Sequence, residues 1–279
     1  MPLSFKSSKQ LSTLVSSVTR SMAYAFSSVI RKARRVAAPV VAVSLCSALF
    51  SLNVGAAEAD KKIAGKISAK INSSYPDMQI DSVETTEVKG MYRVLVQGRD
   101  LYVLEDGRYF LTGDLYRTDP NNLVNVSEEL RGTERAALLA SINRKDNIIY
   151  SPKDGTKKSI SVYTDVDCGY CRKFHQEIPR LNAMGIEVRY LAFPRAGVGS
   201  PSYQKIASAW CSADKQDALN KLKNRESIPT NVCENNPVAK QYELGQQMGV
   251  TGTPSLVLDD GTVIPGYMPA DQLAARLGL

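Results

Sequence analysis

The chain has 279 residues, 43% of them hydrophobic and 23% charged, with a formal net charge of +7. That balance suits a globular protein with a buried core, and it excludes a disordered chain, a collagen-like repeat and a multispanning membrane protein. The positive excess is local: residues 1–57 hold Lys6, Lys9, Arg20, Arg31, Lys32, Arg34 and Arg35 and no acid, so the remainder is balanced and gives no electrostatic sign of nucleic-acid binding.

Residues 1–57 read as an export signal. Arg31-Lys32-Ala33-Arg34-Arg35 is the positive region, Val36 to Phe50 the apolar stretch, and Gly55-Ala56-Ala57 supplies small residues for cleavage near Ala57. A start at Met22 is one alternative. An uncleaved anchor over 36–54 is another, but its Pro, Ser and Asn content makes a poor span. Cys46 leaves with the signal.

Asp60 to Asn72 places Ile63, Ile67 and Ile71 four apart, the spacing of an amphipathic helix. Residues 91–96 and 101–104 read as strands, and Asp106-Gly107 as a hairpin turn into 108–112. Residues 58–120 thus form a small helix-plus-antiparallel-sheet domain, marginal in stability alone. Its edge strands invite pairing with a second copy, with Val94, Val96, Tyr102 and Leu104 as the apolar residues offered. Asp119-Pro120-Asn121-Asn122 breaks the pattern, and Ser127 is then expected to cap a helix through about Ile142, with Glu128 and Glu129 in its first turn. That helix reads either as a rigid connector or as the first helix of the next domain.

From Ser159 a strand runs to Thr164-Asp165-Val166-Asp167, and Cys168-Gly169-Tyr170-Cys171 follows at the start of a helix to about Met184. Pro179 is expected to kink this helix and Gly185 to end it. Residues 186–193 form a second strand. A helical, polar stretch covers about 202–248. Strands at 256–258 and 262–264 and a helix from Pro269 complete the chain.

Four cysteines remain after the signal, an even number in an exported chain. Zinc would want two close pairs rather than one close and one wide pair, and haem attachment needs a His where Arg172 stands. A structural disulfide within Cys-x-x-Cys is a further alternative. The context favours redox chemistry. At a helix start Cys168 meets unsatisfied backbone N–H groups and the positive end of the helix dipole. Such positions bring a thiol pKa from about 8.5 to roughly 3.5–7.5. Cys168 is the expected attacking group, and Cys171, one turn on and more buried, the resolving one. Gly252-Thr253-Pro254 supports this: in a thioredoxin-like layout the loop before the third core strand faces the cysteines, and a cis bond there offers the Thr253 backbone to a bound peptide. Gly169, Tyr170, Thr253 and Pro254 are therefore the expected substrate contacts. Tyr170 reads either as filler or as an apolar surface for substrate that tunes the potential. His175 reads as a surface or packing residue, because thiol exchange needs no imidazole base. Neither a metal nor a cofactor is expected.

Residues 164–171, Arg189-Tyr190-Leu191-Ala192-Phe193-Pro194-Arg195, Trp210-Cys211, Gly252-Thr253-Pro254 and Pro265-Gly266-Tyr267 together resemble the DsbC/DsbG family of periplasmic disulfide isomerases, within the thioredoxin superfamily. The resemblance covers nearly everything after the signal and is strongest from about residue 145. It implies an α+β fold: a cystatin-like dimerisation domain (58–120), a linker with a helix (121–145), and a thioredoxin-like catalytic domain (146–279) with a helical insertion. It also implies a V-shaped homodimer in the periplasm and a structural disulfide between Cys211 and Cys233. The implied substrates are misfolded exported proteins, with a membrane thiol reductase of the DsbD type as electron donor and no nucleic-acid partner. Two readings stand beside isomerisation: a periplasmic dithiol oxidase, and a chaperone that binds unfolded protein with dispensable cysteines. Pro179 departs from the family. Val162 stands where thioredoxin has a buried acid, so proton transfer from Cys171 must use water or another group.

Overall fold

The computed structural model describes residues 57–279; the export signal, save Ala57, and Cys46 lie outside the described residues. Helix α1 (Lys61–Ser74) starts at Asp60, whose carboxylate accepts the Lys62 N–H at 2.9 Å. Ile67 and Ile71, one turn apart, pack on an antiparallel sheet of β1 (Ile80–Thr85), β2 (Met91–Val96), β3 (Arg99–Leu104) and β4 (Phe110–Thr112), in that order. Val83, Val94, Val96 and Val103 complete this core. β1 escapes a search for strict alternation because its register shifts between Ile80 and Ser82, so Ile80 and Val83 lose the period of two. Gln97 and Gly98, both at positive φ, make the tight β2–β3 turn.

The expectation that Val94, Val96 and Tyr102 offer themselves to a second copy is corrected. All three are buried within the chain: Val94 and Val96 under α1, and Tyr102 with its hydroxyl 2.5 Å from Ser127 Oγ. The segment read as a break is the tip of a hairpin between β5 (Tyr116–Asp119) and β6 (Asn122–Asn125).

Helix α2 (Val126–Ser141) is capped by Asn125, whose side chain accepts the Glu128 N–H at 2.9 Å. Ser127 does not cap it, because its hydroxyl is committed to Tyr102 and to the Leu115 N–H at 2.7 Å. Glu128 and Glu129 occupy the first turn as expected. One side of α2 meets the sheet. Arg131 reaches Asp100 at 2.8 Å, and Glu134 joins Glu84 and Asp100 around the buried Arg93. Its other side holds the C-terminal half. Leu138, Leu139 and Ile142 pack on Tyr163, Leu191 and Phe193, and Arg135 Nε donates to the Gly261 carbonyl at 2.6 Å. A Cβ on Gly261, at φ +81°, would lie 1.9 Å from the Gly132 carbonyl oxygen, so only glycine permits this approach.

The C-terminal half is a five-stranded sheet built from β7 (Ile148–Tyr150), β8 (Lys158–Thr164), β9 (Ile186–Ala192), β10 (Ser255–Leu258) and β11 (Val263–Pro265). Their order is β11-β10-β8-β9-β7; β8 and β9 are parallel and the other pairs antiparallel. Both central strands are buried almost throughout, as expected of strands covered on two faces. Between β8 and β9 lie α3 (Gly169–Gln176) and α4 (Ile178–Ala183). The kink expected at Pro179 is a full break, which puts the proline in the first turn of α4, where a missing N–H leaves nothing unpaired. The continuous insertion expected at 202–248 is three helices, α5 (Pro201–Trp210), α6 (Lys215–Lys223) and α7 (Val238–Gln247), with 224–237 irregular. Pro229 and Pro237, and Arg225 and Asn235 at positive φ, account for that gap. Helix α8 (Ala270–Arg276) closes the chain.

Candidate active site

β8 ends at Thr164, and the turn 165–167 delivers Cys168 to the N-cap of α3. Asp165 holds that turn. It is 2% exposed and accepts hydrogen bonds from the Asp167 N–H (2.8 Å), the Ser202 hydroxyl (2.8 Å) and the Arg195 N–H (2.9 Å). Burial works to raise its carboxyl, but these donors prevail and hold it below the ordinary value. Arg172 adds a hydrogen bond to the Val166 carbonyl at 3.0 Å.

Cys168 Sγ accepts the Cys171 N–H at 3.4 Å, and as a thiol it donates to the Thr253 carbonyl at 3.2 Å. Thr253, which precedes Pro254 through a cis bond, also carries a side-chain hydroxyl. That hydroxyl is buried without a hydrogen-bond partner among the described residues, and its influence lowers the pKa of both cysteines. A thiolate would supply the missing acceptor. Gly169 and Tyr170 are exposed between the cysteines, and Tyr170 keeps 65% of its surface in solvent.

The two sulfurs are pushed in opposite directions. Cys168 is pulled down to about 5, first by a hydrogen bond from the Cys171 thiol, then by Thr253, the Cys171 N–H and Arg195, against an opposing effect of burial. Cys171 is buried, and desolvation followed by its neighbour Cys168 pushes its thiol well up. One reactive thiolate and one protonated thiol therefore lie one helical turn apart, an arrangement suited to thiol–disulfide exchange.

The structure thus brings Cys168, Cys171, Gly169, Tyr170, Thr253 and Pro254 to one place. Cys211 and Cys233 lie apart from it and form a disulfide, with their Cα atoms 5.7 Å apart. The bridge ties the end of α5 to the irregular segment. His175 packs below the site, with Nδ1 3.2 Å from the Tyr190 hydroxyl and Nε2 2.9 Å from Asn220 Oδ1. Burial and then the Lys223 charge bring it down to about 4, so it is neutral at pH 7.

Two residues at the site escape the motif reading. Asp165 lies within a quoted motif, but its role needs Arg195 and Ser202, which are distant in sequence. Lys223 is buried at the end of α6, and its Nζ donates to Thr164 Oγ1 (2.5 Å) and the Asp165 carbonyl (3.1 Å). Helical spacing puts it beside Leu219 on the buried face, and that period was the available signal.

Residues 53–128 match the family described as the disulfide bond isomerase protein N-terminal domain, and residues 145–279 match the thioredoxin-like domain. The thiol:disulfide interchange protein DsbC of Salmonella typhimurium is 37% identical over 234 residues, covering 84% of this chain and 92% of that protein. DsbC of Escherichia coli K12 is 36% identical over 222 residues, covering 78% and 88%. Among solved structures, a disulfide interchange protein from Neisseria gonorrhoeae is 26% identical, covers 48% of this chain and 97% of its own, and has a TM-score of 0.43. With a DsbC-type N-terminal domain ahead of a thioredoxin-like one, and this identity across nine-tenths of a relative's length, the chain belongs to the DsbC family of thiol:disulfide interchange proteins and is a thiol–disulfide oxidoreductase and isomerase.

Proposed function

We propose that Cys168 attacks wrong disulfides in exported proteins and that Cys171 resolves the product. The Cys168 thiolate bonds one sulfur of a substrate disulfide, and the other sulfur leaves as a thiolate that takes a proton from water. In isomerisation a second substrate thiolate then displaces Cys168 and forms the corrected disulfide, with no net change in oxidation state. In reduction Cys171 loses its proton and bonds Cys168, the substrate leaves with two thiols, and the protein carries away the disulfide. The single observation that carries this reading is the position of Cys168 Sγ, at a helix start and within reach of both the Cys171 N–H and Thr253. Gly169, Tyr170, Thr253 and Pro254 surround it as the substrate surface. Cys171→Ala is expected to accumulate mixed disulfides with test proteins carrying scrambled disulfides, and Cys168→Ala to form none; mixed disulfides at Cys171 in the latter would overturn the assignment.

The working form is the dithiol, so a membrane thiol reductase of the DsbD type is the proposed donor of electrons. The periplasm is the proposed location, after cleavage near Ala57; no described helix is long and apolar enough to cross a membrane. The proposed division is a dimerisation domain at 58–120, a linker at 121–145 and a catalytic domain at 146–279. Homodimer formation is supported by the edge strand β4. Its Phe110 and Leu111, with Tyr109 beside them, are exposed although apolar, and its outer backbone groups have no neighbouring strand among the described residues. Cys211–Cys233 is the proposed structural disulfide of the insertion.

A further inference from the structure

Lys223 is 4% exposed and makes no ion pair among the described residues. Its two hydrogen bonds go to neutral acceptors, Thr164 Oγ1 and the Asp165 carbonyl. A buried ammonium is costly; the Asp165 carboxylate acts on it from nearby but pairs with Arg195 rather than with Lys223, so the anions left to it are those that appear during the reaction. Its surroundings name the candidates. From the end of β8 and the turn after it come Thr164 and Asp165, whose carboxylate is already engaged by Ser202, Arg195 and the backbone. From the start of α3 come Cys168, whose N–H reaches the same Asp165 carbonyl at 3.4 Å, then Cys171, Arg172 and the neutral His175. From β9 comes the ring of Tyr190, with its centroid 5.5 Å from Nζ. Among these, the groups that gain negative charge during thiol exchange are the two cysteines.

We propose that Lys223 is the charge partner that passes from Cys168 to Cys171 during turnover, and so a positioning residue for the resolving step. In the free dithiol the ionised sulfur is Cys168, which acts on the ammonium together with Asp165, and it suppresses ionisation of Cys171 beside it. Once Cys168 is tied to substrate its charge is gone. Of the two sulfurs the ammonium then acts on Cys171 alone, and the thiolate of Cys171 becomes the favoured new anion. The proton of Cys171 passes to the Lys223 amine where that is unprotonated, and otherwise to solvent. Cys171 Sγ bonds Cys168 Sγ, the bond from Cys168 to the substrate sulfur breaks, and the substrate thiolate takes a proton from water. Burial depresses Lys223 to about 8, near enough to neutrality for both protonation states to be populated. One cation thus favours one thiolate at a time, on a chain that has Val162 where thioredoxin holds an acid.

The inference rests on the roles proposed above for Cys168 and Cys171. The test uses the full chain carrying glutathione as a mixed disulfide on Cys168. Release of glutathione is followed from pH 5 to 9 by acid quench and mass spectrometry, in the native protein and in Lys223→Met. The expected result is release at least tenfold slower at pH 7 in Lys223→Met, with the midpoint of its pH profile raised by a unit or more. A purely structural role would lower the melting temperature and leave that midpoint in place. Release within twofold of the native rate, with an unmoved midpoint, overturns the proposal. Failure to form any mixed disulfide at Cys168 would instead overturn the cysteine assignment. If Lys223→Met does not fold, the native protein answers: the Lys223 side chain, followed by carbon-13 resonance, is expected to titrate at higher pH in the dithiol than in the Cys168–Cys171 disulfide. Equal titration in both forms refutes the inference.

Discussion

The sharpest consequence of the site is the reactivity of Cys168 in acid. With its pKa near 5, about nine-tenths of this thiol is ionised at pH 6, against about 0.3% of an ordinary thiol at about 8.5, a ratio of roughly 300. Rate does not follow ionisation alone. Nucleophilicity falls with pKa at a Brønsted slope of about 0.4–0.5, which over about 3.5 units removes a factor of roughly 25–55. The net expectation is alkylation by iodoacetamide about five to ten times faster than for a free cysteine peptide at pH 6. The shape of the profile is more telling. Between pH 6 and 8 the ordinary thiol accelerates by about 75-fold, whereas Cys168 is nearly flat, because it is already ionised. Thr253→Val removes the hydroxyl aimed at the sulfurs. A hydrogen bond to a charged group is worth about 1.5–3 kcal/mol, so the midpoint should rise by about 1–2 pH units. Peptide mass spectrometry after timed alkylation separates Cys168 from Cys171. A Cys168 rate that climbs close to tenfold per unit from pH 6 to 8 in the native protein would refute the reasoning.

Replacing Cys211 and Cys233 by Ala frees a loop of sequence separation 22. The chain-entropy estimate for that loop is about 3 kcal/mol; denaturant melts should show that loss with Cys168 alkylation unchanged, and a loss under 1 kcal/mol would contradict it. His175 is neutral in the fold and pulled to about 4, so the unfolded chain takes up its proton first. Stability should therefore fall as pH drops from about 6.5 to 4, by at most about 1.4 kcal/mol per unit from this residue. His175→Gln should flatten that slope, and an unchanged slope between pH 6.5 and 4 sinks the argument. Deleting 58–125 removes α1, both N-terminal sheets and the exposed edge at Phe110 and Leu111, and should give a monomer that still reduces small disulfides but loses most isomerisation of scrambled proteins; sedimentation as a dimer would refute the interface.

The elements readable from sequence were those whose signal is local. Ile63, Ile67 and Ile71 announce α1 by period, and residues 91–96 announce β2. What was missed depended on partners. β1 carries a bulge and β7 is three residues long, so neither repeats its pattern long enough to stand out. Ser127 looked like a cap because its type and its following glutamates were right. Asn125 takes the role because the Ser127 hydroxyl is engaged at Tyr102 of β3. Likewise Val94, Val96 and Tyr102 read as one apolar strip, but the pleat and the register send Tyr102 to the opposite face from Val94, toward α2.

The candidate active site divides along the same line. Cys168 and Cys171 share one turn of helix, so spacing alone shows them, and Thr253-Pro254 is visible because its chemistry is unusual at a single point. The polarity between the sulfurs is different in kind. It depends on a hydroxyl delivered 85 residues downstream of Cys168 and on Arg195 across the turn from Asp165, while a lysine from α6 enters beneath them and lowers Cys171 against its burial. Each of those residues is ordinary in its own stretch of chain. Lys223 in particular ends a helix rich in lysine, where a solvated face is the natural reading. Only when α6 packs against the end of β8 does one of those lysines lose its water. A group that costs free energy to bury, placed beside groups that ionise in turn, then becomes part of the chemistry rather than of the surface.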